Sequence, residues 1–239
     1  MACLVIRDIS KSYGGLRAVA GASFAIEAGE LIGLIGPNGS GKTTLLNILS
    51  GHQAPDAGTV RLDDHEIQGL TPDALARRGV ARMFQLTRIF RRMSVHDNLL
   101  VAGRALGLDR ARAGARADEL LAELGLAGLA ARDAGTLSGG QMKLLEFGAC
   151  FMVLPRLALL DEPFAAVHPT LKEIMARYIR HAHAAGQTIL VVSHDMPVVV
   201  ELCPRAICMN AGAVIADSAT RAVLNDRSVI EAYLGGAAA

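Results

Sequence analysis

Residues 36–43 read GPNGSGKT, a run that fits G-x-x-x-x-G-K-[ST], follows the strand-like LIGLI (31–35) and precedes the helix-like TLLNILSG (44–51). In that context the loop is a phosphate cradle. Glycines allow the tight turn, and the backbone from Gly36 through Pro37, Asn38, Gly39, Ser40, Gly41, Lys42, Thr43 and Thr44 is expected to wrap N–H groups around phosphate oxygens. Lys42 adds a point charge near the β- and γ-phosphates, and the Thr43 hydroxyl is a ligand for the magnesium ion that offsets the remaining charge. A plain glycine turn capping a helix would leave Lys42-Thr43 without a purpose.

Around this loop the chain alternates short apolar runs and turns. CLVIRDI, GASFAIEAGE, GTVRLDD and GVARMFQ read as strands of one mixed sheet, with TPDAL starting a helix between the last two. From about Ser94 to Asp133 Ala, Leu and Arg replace the β-branched residues, and SVHDNLLVA and ADELLAELG show helical periodicity. This predicts a helical insert. Strand pattern returns in LALLDEP and TILVVSHD around the helical TLKEIMARYIRHAHAAG, an alternation that implies a parallel sheet. RAICMNAGAVIADS reads as a hairpin through Asn210 to Gly212, a closing helix is expected over Ser228–Leu234, and GGAAA as a frayed tail.

Composition narrows the partners. The 239 residues are enough for one large α/β unit or two modest ones, and 51% hydrophobic residues can fill a sizeable core. With Lys+Arg 24 against Asp+Glu 23, the formal charge of +1 provides no broad field for nucleic acid or an acidic membrane face. No apolar run is long enough to cross a bilayer, and the apolar start is cut short by Arg7 and Asp8, so a soluble, unexported chain is expected. The four cysteines form no C-x-x-C pair and read as buried reduced thiols; a metal site on Cys203 and Cys208 has too wide a spacing.

Three further positions point at the same chemistry. LALLDEP ends in Asp161-Glu162, and strand ends in an open α/β sheet face the ligand crevice. Adjacent strand residues point opposite ways, which suits Asp161 to the magnesium shell and Glu162 to polarising the attacking water as a general base. His194 closes VVSHD on the same edge, within reach of a γ-phosphate, and Gln85 ends RMFQ with an amide oxygen for magnesium or the water.

LSGGQ, residues 137–141, is a second anion-binding pattern. Ser138 and Gln141 fit an S-x-x-Q capping box that would fix a helix start and aim the Gly139 and Gly140 amides outward.

Taken in order, the phosphate loop, Gln85, LSGGQ, Asp161-Glu162 and His194 resemble the ATP-binding cassette (ABC) family across almost the whole chain. The resemblance implies an α/β P-loop NTPase fold: a RecA-like core with an N-terminal antiparallel β subdomain, built from 1–88 and 156–239, and a helical subdomain over 89–155, together one domain of 1–239. It implies Tyr13 stacked on adenine, although a strand tyrosine without that duty would look the same. It implies an ATP hydrolase using Mg2+. Two copies, identical or related, would bind ATP between them, with Ser138, Gly139, Gly140 and Gln141 of one chain closing on the other chain's nucleotide.

After Gln85, Ile89, Phe90 and Met93 stand among Arg88, Arg91 and Arg92, ahead of the N-cap candidate Ser94. This segment looks like the one that receives a short helix from a membrane permease subunit in transporter members, and resembles the ATPases of branched-chain amino acid importers. FAAVHP and EAYLG look similar to that subgroup too. The implied setting is the cytoplasmic face of the cell membrane, with a substrate-binding protein as an indirect partner. Phe90 packed into the helical insert is the alternative. Two departures stand out: His168 where many members have aspartate, and Met142-Lys143 and Gly148 where arginines are frequent. A soluble member acting on DNA or ribosomes is the competing function; the chain has no long coiled coil, second cassette or basic tail of the kind such proteins carry.

Overall fold

The computed structural model describes residues 2–235, so most of the GGAAA tail lies outside the described residues. The strands form two sheets. β1 (Ala2–Tyr13) and β2 (Leu16–Glu27) make a long antiparallel hairpin, and β4 (Ala57–Leu62) and β5 (His65–Glu66) extend it in the order β2-β1-β4-β5. β3 (Leu31–Ile35), β6 (Val80–Met83), β7 (Leu157–Asp161), β8 (Thr188–Val192), β9 (Arg205–Asn210) and β10 (Ala213–Ala219) form the second, in the order β10-β9-β3-β8-β7-β6. The reading of the first third's strand pattern as one mixed sheet is therefore corrected, while the N-terminal antiparallel β subdomain beside a parallel core, which the family resemblance implies, is what the chain forms. The antiparallel hairpin forms its own layer, while β3 and β6 pair with strands from the C-terminal half.

Strand composition explains the division. β3, β7 and β8 are buried at every residue, as strands covered on both faces must be, whereas β2 alternates towards its end with a polar face outward. In β3, Ile32 and Leu34 join the core shared with the first sheet, while Leu31 and Ile35 join the core under the helices. The alternation places the second sheet between two hydrophobic layers.

Seven of the helical elements matter for position. α1 (Lys42–Leu49) follows β3; α2 (Pro72–Arg77) precedes β6; α3 (Val95–Ala105), α4 (Arg110–Glu123) and α5 (Gly139–Cys150) lie between β6 and β7; α6 (Pro169–Ala184) links β7 to β8; and α7 (Met196–Leu202) follows β8. α3 starts at Ser94, whose hydroxyl accepts from the Asp97 N–H at 2.9 Å. α7 and α8 (Thr220–Leu224) are too short for their periodicity to be read; α9 (Arg227–Gly235) covers the expected closing helix. The β9–β10 turn carries positive φ at both Ala211 (45°) and Gly212 (83°), the geometry a two-residue hairpin needs.

Two predicted strands are shorter than expected. GVARMFQ is a strand only to Met83, and β8 ends at Val192, so Gln85 and His194 each lie two residues beyond their strand rather than closing it. β1 and β2 are longer, because the Gly14-Gly15 turn lets Tyr13 pair with Leu16. All four cysteines are buried and unbridged. Among the described residues no group of three or more His, Cys, Asp or Glu could hold a metal, and no helix is long and apolar enough to cross a membrane.

Candidate functional site

β3, β6, β7 and β8 run parallel and in register, Leu34 beside Val192, Val192 beside Asp161, and Leu160 beside Met83. Their carboxyl ends therefore lie along one edge. The phosphate loop leaves β3, Gln85 follows β6, Asp161-Glu162 ends β7, and His194 follows β8. This edge is the crevice where open α/β sheets hold ligands.

The loop is held in shape from both sides. Gly36 has φ 144°, and a Cβ there would come within 2.1 Å of the Met209 carbonyl; Gly41 has φ 101°, and a Cβ would meet the Ala18 carbonyl at 2.3 Å. Only glycine fits both places. Lys42 Nζ curls over the loop and donates to the Gly36 and Pro37 carbonyls at 2.8 and 2.9 Å and to Ser40 Oγ at 3.2 Å. Burial pushes the Lys42 pKa down, and the Glu162, Cys208 and Asp161 side chains act in the opposite sense. Thr43 and Asn38 are exposed, while Ser40 is buried.

Residues far away in sequence brace this loop, and no local pattern marks them. The Gly212 N–H donates to the Ser40 carbonyl at 3.0 Å, and the Gly212 carbonyl accepts from the Ala20 N–H at 2.9 Å, joining the β9–β10 turn to both the loop and β2. From α9, the Tyr233 hydroxyl accepts from the Gly36 N–H at 2.7 Å. Tyr13, at the tip of the β1–β2 hairpin, is about half exposed, with Lys11 Nζ 5.9 Å from its ring centroid.

Asp161 is buried, and its Oδ2 lies 3.3 Å from an Arg82 nitrogen on the neighbouring β6. Arg82 Nη1 also donates to Asn47 Oδ1 at 2.7 Å and Ser50 Oγ at 2.6 Å on and just after α1. Burial raises the Asp161 pKa, and Arg82 opposes the rise. Glu162 departs from strand alternation. Its φ is 51°, left-handed for a non-glycine residue, and its N–H donates to the Val192 carbonyl at 2.9 Å. Glu162 Oε2 lies 2.9 Å from His194 Nδ1, but no protein donor is aligned on that oxygen. The two acids thus face opposite flanks of β7, Asp161 towards β6 and Glu162 towards the loop after β8. The twist at Glu162 achieves this, not the strand pleat.

α5 begins at Gly139 with both halves of a capping box: Ser138 Oγ accepts from the Gln141 N–H at 3.3 Å, and Gln141 Oε1 accepts from the Ser138 N–H at 3.0 Å. Gly139 and Gly140 form the first turn, Gly139 exposed and Gly140 half-buried. His168 caps α6, its Nδ1 accepting from the Thr170 N–H at 3.4 Å.

The segment after Gln85 is clamped. Asn98 of α3 accepts from the Phe90 N–H at 2.8 Å and donates to the Phe90 carbonyl at 3.0 Å. Phe90 itself is 56% exposed, which decides against its packing into the helical insert. Arg88 stacks on the Phe84 ring at 3.7 Å. Both line a cavity of about 260 Å³ together with Arg82, Glu146, Cys150 and Leu154.

Glu146 in that cavity is a buried acid that the sequence KLLEFGAC marks only as one of two charges in an apolar run. Its Oε1 accepts from the Phe84 N–H at 3.3 Å, while Oε2 has no protein hydrogen-bond partner. Burial pushes its pKa from 4.5 up to about 7. The folded chain therefore binds a proton that the unfolded chain releases above pH 4.5, and stability falls as pH rises from there to about 7. Glu146→Gln should remove this loss, stabilising the chain at pH 8 by up to about 3 kcal/mol relative to wild type, with little difference near pH 4.5. Urea midpoints of both proteins at the two pH values check this; equal midpoints at pH 8 count against it.

The profile of the family described as "ABC transporter" matches residues 19–165. The chain is 38% identical over 253 aligned residues to the high-affinity branched-chain amino acid transport ATP-binding protein BraF of Pseudomonas aeruginosa, covering 98% of each chain. It is also 36% identical to the lipopolysaccharide export system ATP-binding protein LptB of Escherichia coli, covering 98% of both. Among solved structures, the ADP conformation of MJ1267, an ATP-binding cassette of an ABC transporter, superposes with a TM-score of 0.88 at 32% identity, covering 98% of this chain and 99% of that one. A dimeric post-hydrolysis state of the cassette MJ0796, bound to ADP and Pi, gives 0.83 at 25% identity over 91% and 99%. A phosphate loop at a parallel-sheet edge, the LSGGQ cap and these full-length matches agree: the chain belongs to the ABC transporter family, as an ATP-binding subunit that hydrolyses ATP.

Proposed function

We propose that this chain powers an importer of branched-chain amino acids or similar small polar solutes, from the cytoplasmic face of the cell membrane. The observation that carries the reading is the 38% identity to BraF across 98% of both chains. Two copies, or this chain and a related one, close on two ATP molecules. In each site residues 36–44 of one chain cradle the phosphates, Tyr13 stacks on the adenine, and Ser138, Gly139, Gly140 and Gln141 of the other chain cover the γ-phosphate. The dimeric MJ0796 cassette supports that pairing.

Within a site, Glu162 accepts a proton from the attacking water, and His194, 2.9 Å from its carboxylate, faces the γ-phosphate. Thr43, Gln85 and Asp161 offer hydroxyl, amide and carboxylate oxygens, a hard donor set that fits Mg2+. When bound, the ion neutralises charge developing on the phosphate oxygens. Hydrolysis and phosphate loss then remove the bridge between the chains and let them separate.

The stretch 89–155 acts as the helical subdomain that meets the permease subunits, with a substrate-binding protein delivering solute to them; no nucleic acid takes part. Phe90, whose backbone is held by Asn98 and which is flanked in sequence by Arg88, Arg91 and Arg92, is the anchor of that contact. Phe90→Ala should cut recovery of the hydrophobic subunits with the tagged chain by about tenfold or more, with an unchanged circular dichroism spectrum. Undiminished recovery would remove Phe90 from the interface.

The 36% identity to LptB favours a second reading, export of a lipid-linked saccharide. Labelled leucine uptake by cells with and without the gene separates the two. Loss of uptake supports import; normal uptake with a lipopolysaccharide transport defect supports export.

A further inference from the structure

Lys143 takes no part in the chemistry above, yet it is a buried ammonium on α5, two residues beyond Gln141. Its Nζ donates to the Glu162 carbonyl at 2.6 Å and to the Ala165 carbonyl at 3.0 Å. The segment so held is strained at both ends: Glu162 has φ 51° and Ala166 has φ 56°. Left-handed non-glycine residues persist only where surrounding contacts over-determine them. Apart from Lys143, the Glu162 carbonyl has one long hydrogen bond, from the Ala165 N–H at 3.3 Å. The ammonium therefore clips the turn that carries the Glu162 side chain.

The same end of the helix carries the Ser138-Gly139-Gly140-Gln141 turn, with Ser138 and Gly139 exposed and its shape fixed by the capping box. α5 is also packed tightly on α6, since a Cβ at Gly140 would come within 2.9 Å of Leu171 Cδ1. One rigid element thus presents amides to a partner at its start and grips the Glu162 backbone one turn further in. A shift of α5 on meeting the partner's nucleotide must move or fix that backbone.

We propose that Lys143 is a positioning residue that ties α5 to the Glu162 turn, so that seating of one chain's LSGGQ on the partner's ATP sets the carboxylate acting on its own ATP. The proposal rests on the reading of Glu162 as general base and of residues 138–141 as facing the partner.

The test compares ATP turnover of the purified full-length chain in Lys143→Met, Lys143→Arg and Glu162→Gln. Methionine keeps the length and apolar stem of lysine, and replacing a buried ion by an apolar group of similar volume is often neutral for stability. Lys143→Met should lower kcat about 10- to 100-fold, the usual cost of small misplacements, with KM for ATP within about twofold and the Hill coefficient falling towards one. Lys143→Arg should recover most of kcat and the cooperativity. A residue serving only the fold would shift the melting temperature without this split. Wild-type kcat and Hill coefficient in folded Lys143→Met, with Glu162→Gln inactive, overturn the inference alone; an active Glu162→Gln overturns the base assignment beneath it. If Lys143→Met does not fold, Lys143→Gln, whose amide can reach one carbonyl, should show intermediate kcat, and full turnover there overturns the proposal equally.

Discussion

Glu162→Gln is expected to slow ATP turnover by about 10²–10⁴-fold, the usual contribution of a general base, while ATP-dependent dimers still form. Glutamine keeps the shape of the side chain and can occupy the same backbone position, where φ is 51°. It loses the proton acceptor. In the native chain Glu162 Oε2 is buried with no aligned protein donor, which leaves that oxygen open to a hydrogen bond from a water. His194 Nδ1 stands 2.9 Å away without making an aligned hydrogen bond to Oε2. Phosphate release, measured beside gel filtration with ATP, separates the two effects. Turnover within about twofold of wild type would refute the assignment.

Lys42→Ala should act earlier, on binding. Its Nζ makes three hydrogen bonds within the loop, to Gly36, Pro37 and Ser40, so the loop already offers the cation to an anion held in its curve. A charge-assisted contact to phosphate contributes about 1.5–3 kcal/mol, which corresponds to roughly 10- to 100-fold in affinity. Removal also frees the Gly36 and Pro37 carbonyls to face the ligand with the wrong sign of charge. Titration with a fluorescent ATP analogue gives the dissociation constant directly; an unchanged constant means that the ammonium does not meet the phosphates.

The two substitutions differ in kind. Lys42→Ala should weaken binding at every stage, whereas Glu162→Gln should trap the bound state. A double variant with the weak binding of the first and no trapped dimer fits that order of events.

Several features were legible because each is a contiguous stretch whose chemistry needs no distant neighbour. The phosphate loop declared itself through glycine positions at which a Cβ would strike backbone, and LSGGQ through a capping pair three residues apart. The hairpin at Asn210–Gly212 was readable from turn residues alone. Strand ends were less so. Gln85 and His194 sit beyond β6 and β8, since Phe84 extends the apolar pattern and the buried Ser193 extends the buried run past the end of each ladder.

Other features had no local mark. Arg82 looks like any strand arginine until β6 is laid beside β7, which brings it to Asp161. Tyr233 meets Gly36 across 197 residues of chain. Lys143 and Glu146 appear only as charges in an apolar helix, and their partners come from the Glu162 turn and the segment after β6.

The order of residues along the chain was enough to establish the phosphate chemistry and the helix caps, because hydrogen bonds between near neighbours and glycine's freedom at positive φ act within a few positions. Sheet order β10-β9-β3-β8-β7-β6 had to be known before the acids, the histidine and the cradle could be placed on one edge. The backbone twist at Glu162, and the ammonium that holds it, belong to the same class: they arise from packing between segments, which no short window of sequence contains.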